Sequence, residues 1–177
     1  HPAIDAALAL HSDIGDQPLP RGEIRTFQAA LDVCDRPAPR TPYAAKFSLQ
    51  HCVNVALADG EVGFESFDDV YRARLAESSS NTNVTATPEF DDAYPGRWGA
   101  AVSATLPSGE VITAVRKDCK GDPESPLSPQ EIVEKAHKLA RHGDQENDPS
   151  SLIERVLSMP QASRMPPFPL PARRTAR

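Results

Sequence analysis

At 177 residues the chain is long enough to bury a core of its own and short enough for one domain with appendages. A formal charge of -6 argues against a broad nucleic-acid or anionic-membrane surface, and no apolar run reaches membrane-spanning length. Cys34, Cys52 and Cys119 match no CxxC or CxxH spacing, so they read as reduced cytosolic thiols and not as a disulfide frame or zinc site.

The chain starts at His1 and looks helical at once. Ile4, Ala7, Leu8 and His11 stand at helical spacing, and Gly15 ends the run. A one-sided helix with little sequence before it implies a neighbour supplied from elsewhere. Asp16 to Gly22 reads as a linker, and Glu23 to about Ala29 as a strand anchored by Ile24 and Phe27. Asp35-Arg36-Pro37-Ala38-Pro39 is stiff and irregular.

Thr41 to Gly60 predicts one central helix. Thr41 is a fitting N-cap, Pro42 suits the first helical position, and Gly60 can take the left-handed conformation beyond the end. Apolar residues occupy more than one side, so the helix is expected to be buried. Its polar residues, Lys46, Ser48, Gln50, His51 and Asn54, must then find partners or line a wet pocket.

A second helix follows, with Ser66 and Asp69 at capping-box spacing. Val84 and Ala86 suit a half-buried strand, and Pro88 to Arg97 a loop. Ala100 to Leu106 and Val111 to Val115 predict a hairpin turning at Pro107-Ser108-Gly109. After a polar loop over Lys117 to Leu127, Ser128-Pro129-Gln130-Glu131 combines an N-cap, a Pro at the first position and a capping-box Glu. That helix stops at Gly143, Asp148-Pro149 opens a last one, and Gln161 to Arg177 reads as a Pro- and Arg-rich flexible tail. The order of elements predicts an α+β fold: a mainly antiparallel sheet with helices packed on one face. The first strand and the strand after the central helix are expected to be joined by a crossover.

No phosphate loop, HExxH, GxSxG or EF-hand pattern is present. His51 is the candidate for chemistry. One reading makes it a core imidazole satisfied by a neighbour; the other makes it a proton donor or acceptor, since the ring titrates near neutral pH. Lys46 falls about 140° round the same helix and reads on its own as a solvated lysine. Cys52 reads as a small core residue, and His137 and His142 as solvated.

These stretches, taken in order, resemble the MmgE/PrpD family. TPYAAKFSLQHCVNVALADG is similar to that family's segment P-x-x-A-[RK]-F-S-[LIV]-x-[YH]-x-[VA]-A-x-A-L-x-D-G. HPAIDAALAL resembles the end of its K-P-Y-x-x-C-R-x-x-H-x-x-I-D-A motif, Trp98 to Val115 its hairpin, and KGDPESPLS its G-D-P-x-N-P-L-S loop. The resemblance covers roughly His1 to Leu157. It implies 2-methylcitrate dehydratase, cis-aconitate decarboxylase or iminodisuccinate epimerase chemistry: a proton moved beside a carboxylate, with no organic cofactor and no metal expected.

The implied architecture is a small α+β lid over residues 16–145, with flanking helices at 1–15 and 146–160 belonging to a large helical domain, and a tail at 161–177. The chain is accordingly expected to be part of a longer cytoplasmic, homodimeric enzyme. Its implied partners are a small di- or tricarboxylate and the N-terminal helical domain, with no nucleic acid or membrane. His51 matches a family position that points into the cleft, and His1 the final histidine of the K…C-R…H motif. These two are the candidate catalytic residues; Lys46 and Gln50 are the candidate substrate-binding ones. A noncatalytic α+β interaction module is the alternative.

Overall fold

The computed structural model describes residues 1–15, 17–19, 21–143, 148–161 and 164. They fall into two compact units, His1–Pro126 and Leu127–Arg177. The tail expected over 161–177 lies almost wholly outside the described residues.

In the first unit, helix α1 (Pro2–Ile14) leads to strand β1 (Arg21–Thr26) and helix α2 (Gln28–Cys34). A short helix α3 (Pro42–Ala45) precedes the buried helix α4 (Leu49–Asp59). Helices α5 (Asp69–Arg74) and α6 (Ala76–Ser80), strand β2 (Asn83–Ala86) and helix α7 (Pro88–Asp91) follow. Strands β3 (Ala100–Thr105) and β4 (Val111–Arg116) form the expected hairpin, with Gly109 at φ 87° in its turn. The second unit holds helices α8 (Pro129–Gly143) and α9 (Ser150–Ser158).

The sheet order is β2-β1-β3-β4, with β1 and β2 parallel and the other two pairings antiparallel. The fold is therefore α+β around a mixed sheet. Pleating sends alternate side chains to opposite faces. Ile24, Val84, Ala100, Val102 and Ala104 meet α1 and α4 in the main core, while Ala101 packs with Phe27 and Phe90 in a smaller cluster.

Helix α1, which the resemblance assigned to a flanking helical domain, packs within the first unit. Ala3, Ala6, Ala7, Leu10 and Ile14 are buried in the same core as Val53, Ala56 and Leu57 of α4. Small alanines let the two helices and the hairpin approach closely, so the neighbour demanded by the one-sided pattern lies in this unit. A hydrogen bond fastens the pair: His11 Nδ1 donates to Leu57 O at 2.9 Å. Helix α8, expected within the 16–145 segment, groups with α9 beyond Pro126.

Four local readings also change, the first being that the loop expected over Pro88 to Arg97 opens with helix α7. Residues 28–34 are helix and not the end of a strand, since β1 closes at Thr26. Asp68, not Ser66, caps α5, its carboxylate accepting from Tyr71 N at 2.9 Å. The central helix is broken: α3 ends at Ala45, and Ser48 starts α4 as a fresh N-cap accepting from His51 N. Gly60 ends α4 as expected, at φ 68°. In the second unit the capping box is reciprocal, Glu131 N donating to Ser128 Oγ and Ser128 N to the Glu131 carboxylate.

Candidate functional site

The N-terminal half of α4 organises the site. Ser48 Oγ accepts from His51 N and donates to Arg36 O at 2.6 Å. Gln50 Oε1 accepts from Arg36 N at 3.1 Å, while its Nε2 donates to the Asp35 carboxylate. The irregular Asp35–Pro39 segment is thereby tied down beside His51. Its prolines are stiff but supply no N–H, so this tethering comes from α4 side chains.

Gln50 is thus occupied at both ends and 1 % exposed, and its place in the fold is that of a clamp. Asn54 Nδ2 donates to Gln50 O and Thr82 Oγ1, while its Oδ1 is buried without a partner. The polar residues of α4 meet the demand of burial mostly by holding neighbouring segments.

His51 does this and something more. Its side chain is 1 % exposed, and Nε2 donates to Ser66 O at 2.7 Å. A carbonyl can only accept, so Nε2 carries the hydrogen and, in the neutral ring, Nδ1 holds the lone pair. Burial lowers the imidazole pKa from its ordinary value; the Ser66 bond opposes that, and the Arg72 and Arg74 charges add to the lowering. The ring is therefore held neutral near pH 7. It also lines a cleft of about 220 Å³ with Pro37, Pro39, Arg40, Arg72 and Ser79 among its walls. Among the described residues, no Asp or Glu lines this cleft.

Lys46 and His51 both approach Phe67. The break at 46–48 lets the Lys46 ammonium sit over the Phe67 ring, 5.8 Å from the centroid, and Phe67 in turn contacts the His51 ring at 6.1 Å. The two candidates flank one aromatic side chain. His1 stays apart: it is exposed at the start of α1, makes no capping side-chain bond, and is not among the residues lining the cleft.

Arg40, Arg72 and Ser79 are site residues that sequence reasoning missed. They come from three separated segments, and only the basic type of Arg40 and Arg72 was available as a signal. Cys52 is the core thiol expected, burial pushing it up to about 11. All three cysteines are free. Among the described residues, no group of three or more His, Cys, Asp or Glu side chains is placed to hold a metal ion, and no helix is long and apolar enough to cross a membrane.

Fold and cleft together define an α+β domain that presents a neutral, buried imidazole beside two arginines, Arg40 and Arg72, the latter paired with Asp69. The family model of the MmgE/PrpD C-terminal domain matches residues 1–159, and the chain belongs to that family. Members of the family are generally dehydratases and other lyases. No curated protein matches the chain.

Proposed function

We propose that this domain forms one wall of the active site of a carboxylate lyase or isomerase, in which His51 moves a proton at a carbon next to a carboxylate. The observation that carries this reading is the state of the His51 ring: neutral, fixed through Nε2–H to Ser66 O, and placed in the wall of a cationic cleft. With Nε2 committed, Nδ1 is the nitrogen that takes the proton. The Ser66 carbonyl then stabilises the imidazolium that forms, because a hydrogen bond to the charged form favours it. Cationic neighbours hold the substrate's carboxylate and offset charge that builds on it as the adjacent C–H breaks.

In this reading the substrate is a small di- or tricarboxylate of the 2-methylcitrate, cis-aconitate or iminodisuccinate type, and no organic cofactor takes part. A helical domain closes over the cleft and excludes water. Lys46, next to Phe67, binds a second carboxylate. The working form is a cytoplasmic homodimer, inactive when this domain stands alone.

The test uses the domain joined to a family helical domain. Turnover of the three acids is measured for the parent and for His51→Ala. A loss of 100-fold or more in kcat, with substrate binding retained, is the expected result for a general base. Normal turnover in that variant sinks the proposal. Should the parent itself turn over none of the acids yet bind a partner through this domain, the noncatalytic reading takes its place.

A further inference from the structure

Two polar groups in the wall of the His51 cleft are left unsatisfied by the fold. Arg72 has a side chain only 13 % exposed; its terminal nitrogen pairs with Asp69, while Nε is buried without a partner. Ser79 is 1 % exposed, and its Oγ is buried without a partner. A helical serine commonly bonds back to a carbonyl one turn earlier, as Ser158 Oγ does here to Arg155 O. Ser79 does not. Buried polar groups are nearly always paired, so two orphans in one cleft call for a common acceptor.

Their convergence follows from the break between α5 and α6. Leu75, at φ -101° and ψ 6°, ends one helix and begins the next, and its own side chain is buried. The break lets Arg72, in the last turn of α5, and Ser79, in α6, line the same cleft. A guanidinium Nε can only donate, and the serine hydroxyl can donate beside it, so the missing group is an acceptor able to take both. Arg40 adds a further positive charge to the wall, and no carboxylate among the described residues opposes it there. Asp69 offsets the Arg72 charge from outside the lining, so the wall's excess positive charge is that of Arg40, in a chain of net charge -6.

We propose that Arg72 Nε and Ser79 Oγ form a carboxylate-binding pair that seats one carboxylate of the substrate next to His51. The choice of carboxylate over other anions rests on the proton-transfer reading above; the anion site itself rests on the two orphaned donors. At about 220 Å³ the cleft is smaller than drug-sized pockets and suits one arm of a small polyacid. One carboxylate oxygen accepts from Arg72 and the other from Ser79, an arrangement stronger than two neutral hydrogen bonds.

The test is a titration of the full chain, residues 1–177, with the unreactive probe propane-1,2,3-tricarboxylate, followed by NMR of the His51 ring and by calorimetry. Inorganic phosphate and the uncharged triamide of the same acid are run in parallel. Saturable binding of the tricarboxylate that shifts the His51 ring signals is expected, with phosphate weaker and the triamide silent. Ser79→Ala is expected to weaken binding roughly tenfold and Arg72→Gln more than tenfold. Arg74→Gln, which removes one charge nearby but outside the lining, leaves it within about twofold.

Ser79→Ala keeps or raises thermal stability, since its hydroxyl has no internal bond to lose, so weakened binding cannot be blamed on misfolding. Unchanged affinity in both Ser79→Ala and Arg72→Gln, or no saturable tricarboxylate binding, overturns the proposal and leaves water as the orphans' partner. Tighter binding of phosphate than of tricarboxylate overturns the carboxylate assignment. The His51→Ala turnover result stands apart from these titrations, so either reading can fail alone.

Discussion

Gly60→Ala is the sharpest test of how α4, and with it His51, is held. Gly60 sits at φ 68°, and a Cβ built there would come within 2.6 Å of His11 Cδ2 and 2.7 Å of Nε2. Two costs follow. Placing alanine in the left-handed region costs about 1 kcal/mol. Displacing the His11 ring breaks its 2.9 Å bond to Leu57 O, a further cost of about 1 kcal/mol, with some packing lost besides. The sum is about 2–3 kcal/mol, a large share of a typical domain's stability.

The assay is urea unfolding of Gly60→Ala, His11→Ala and the double variant. With a slope near 2 kcal/mol/M, the first should lower the midpoint by about 1–1.5 M. In the His11→Ala background the clash is gone, and only the backbone cost of about 1 kcal/mol should remain. Equal costs of Gly60→Ala in both backgrounds would show that the His11 latch is not what the glycine protects. A cost under about 0.5 kcal/mol would refute the left-handed assignment too.

Other outcomes are open to measurement. The His51 pKa is lowered on folding, so below about pH 6.5 the unfolded chain takes up a proton that the folded one resists. Stability should therefore fall as pH drops from about 6.5 toward the folded value, and His51→Gln should flatten that part of the profile. A ring titrating by NMR at or above the ordinary value refutes it. Ser48→Ala removes both the α4 cap and the bond to Arg36 O, and should cost about 1–2 kcal/mol in denaturant unfolding. Faster amide exchange over residues 35–39 should accompany it; unchanged exchange would mean the segment is held by other means.

Legibility in the sequence followed the range of the forces involved. The Ser128–Glu131 box, the Gly60 stop and the Gly109 turn were readable because each is a contact between residues within one turn of each other. The α3–α4 break was hidden, because Ser48 in a helical pattern reads equally as an interior residue and as a new cap. Helix α2 escaped notice because its N-cap, Phe27, makes no side-chain bond, so no polar residue marks the boundary. The Ser66–Asp69 spacing misled because the helix starts two residues later, where Asp68 caps Tyr71 N, while Ser66 Oγ turns back to accept from Gly63 N.

The amino-acid order alone determined which segments want burial, where most of them stop, and that a histidine would be trapped in the most buried one. It also carried the family, since ordered motifs survive without any knowledge of contacts. Tertiary structure decided the partners. Amphipathicity says that α1 must cover something but not that it covers α4, and it says that His51 and Gln50 need bonds but not with which groups. Gln50 became a clamp and His51 a cleft residue because the loop at 35–39 reaches one and the Ser66 carbonyl the other. Arg72 and Ser79 became neighbours of that ring only through a helix break, and such proximity is a property of the folded chain that no spacing along it encodes.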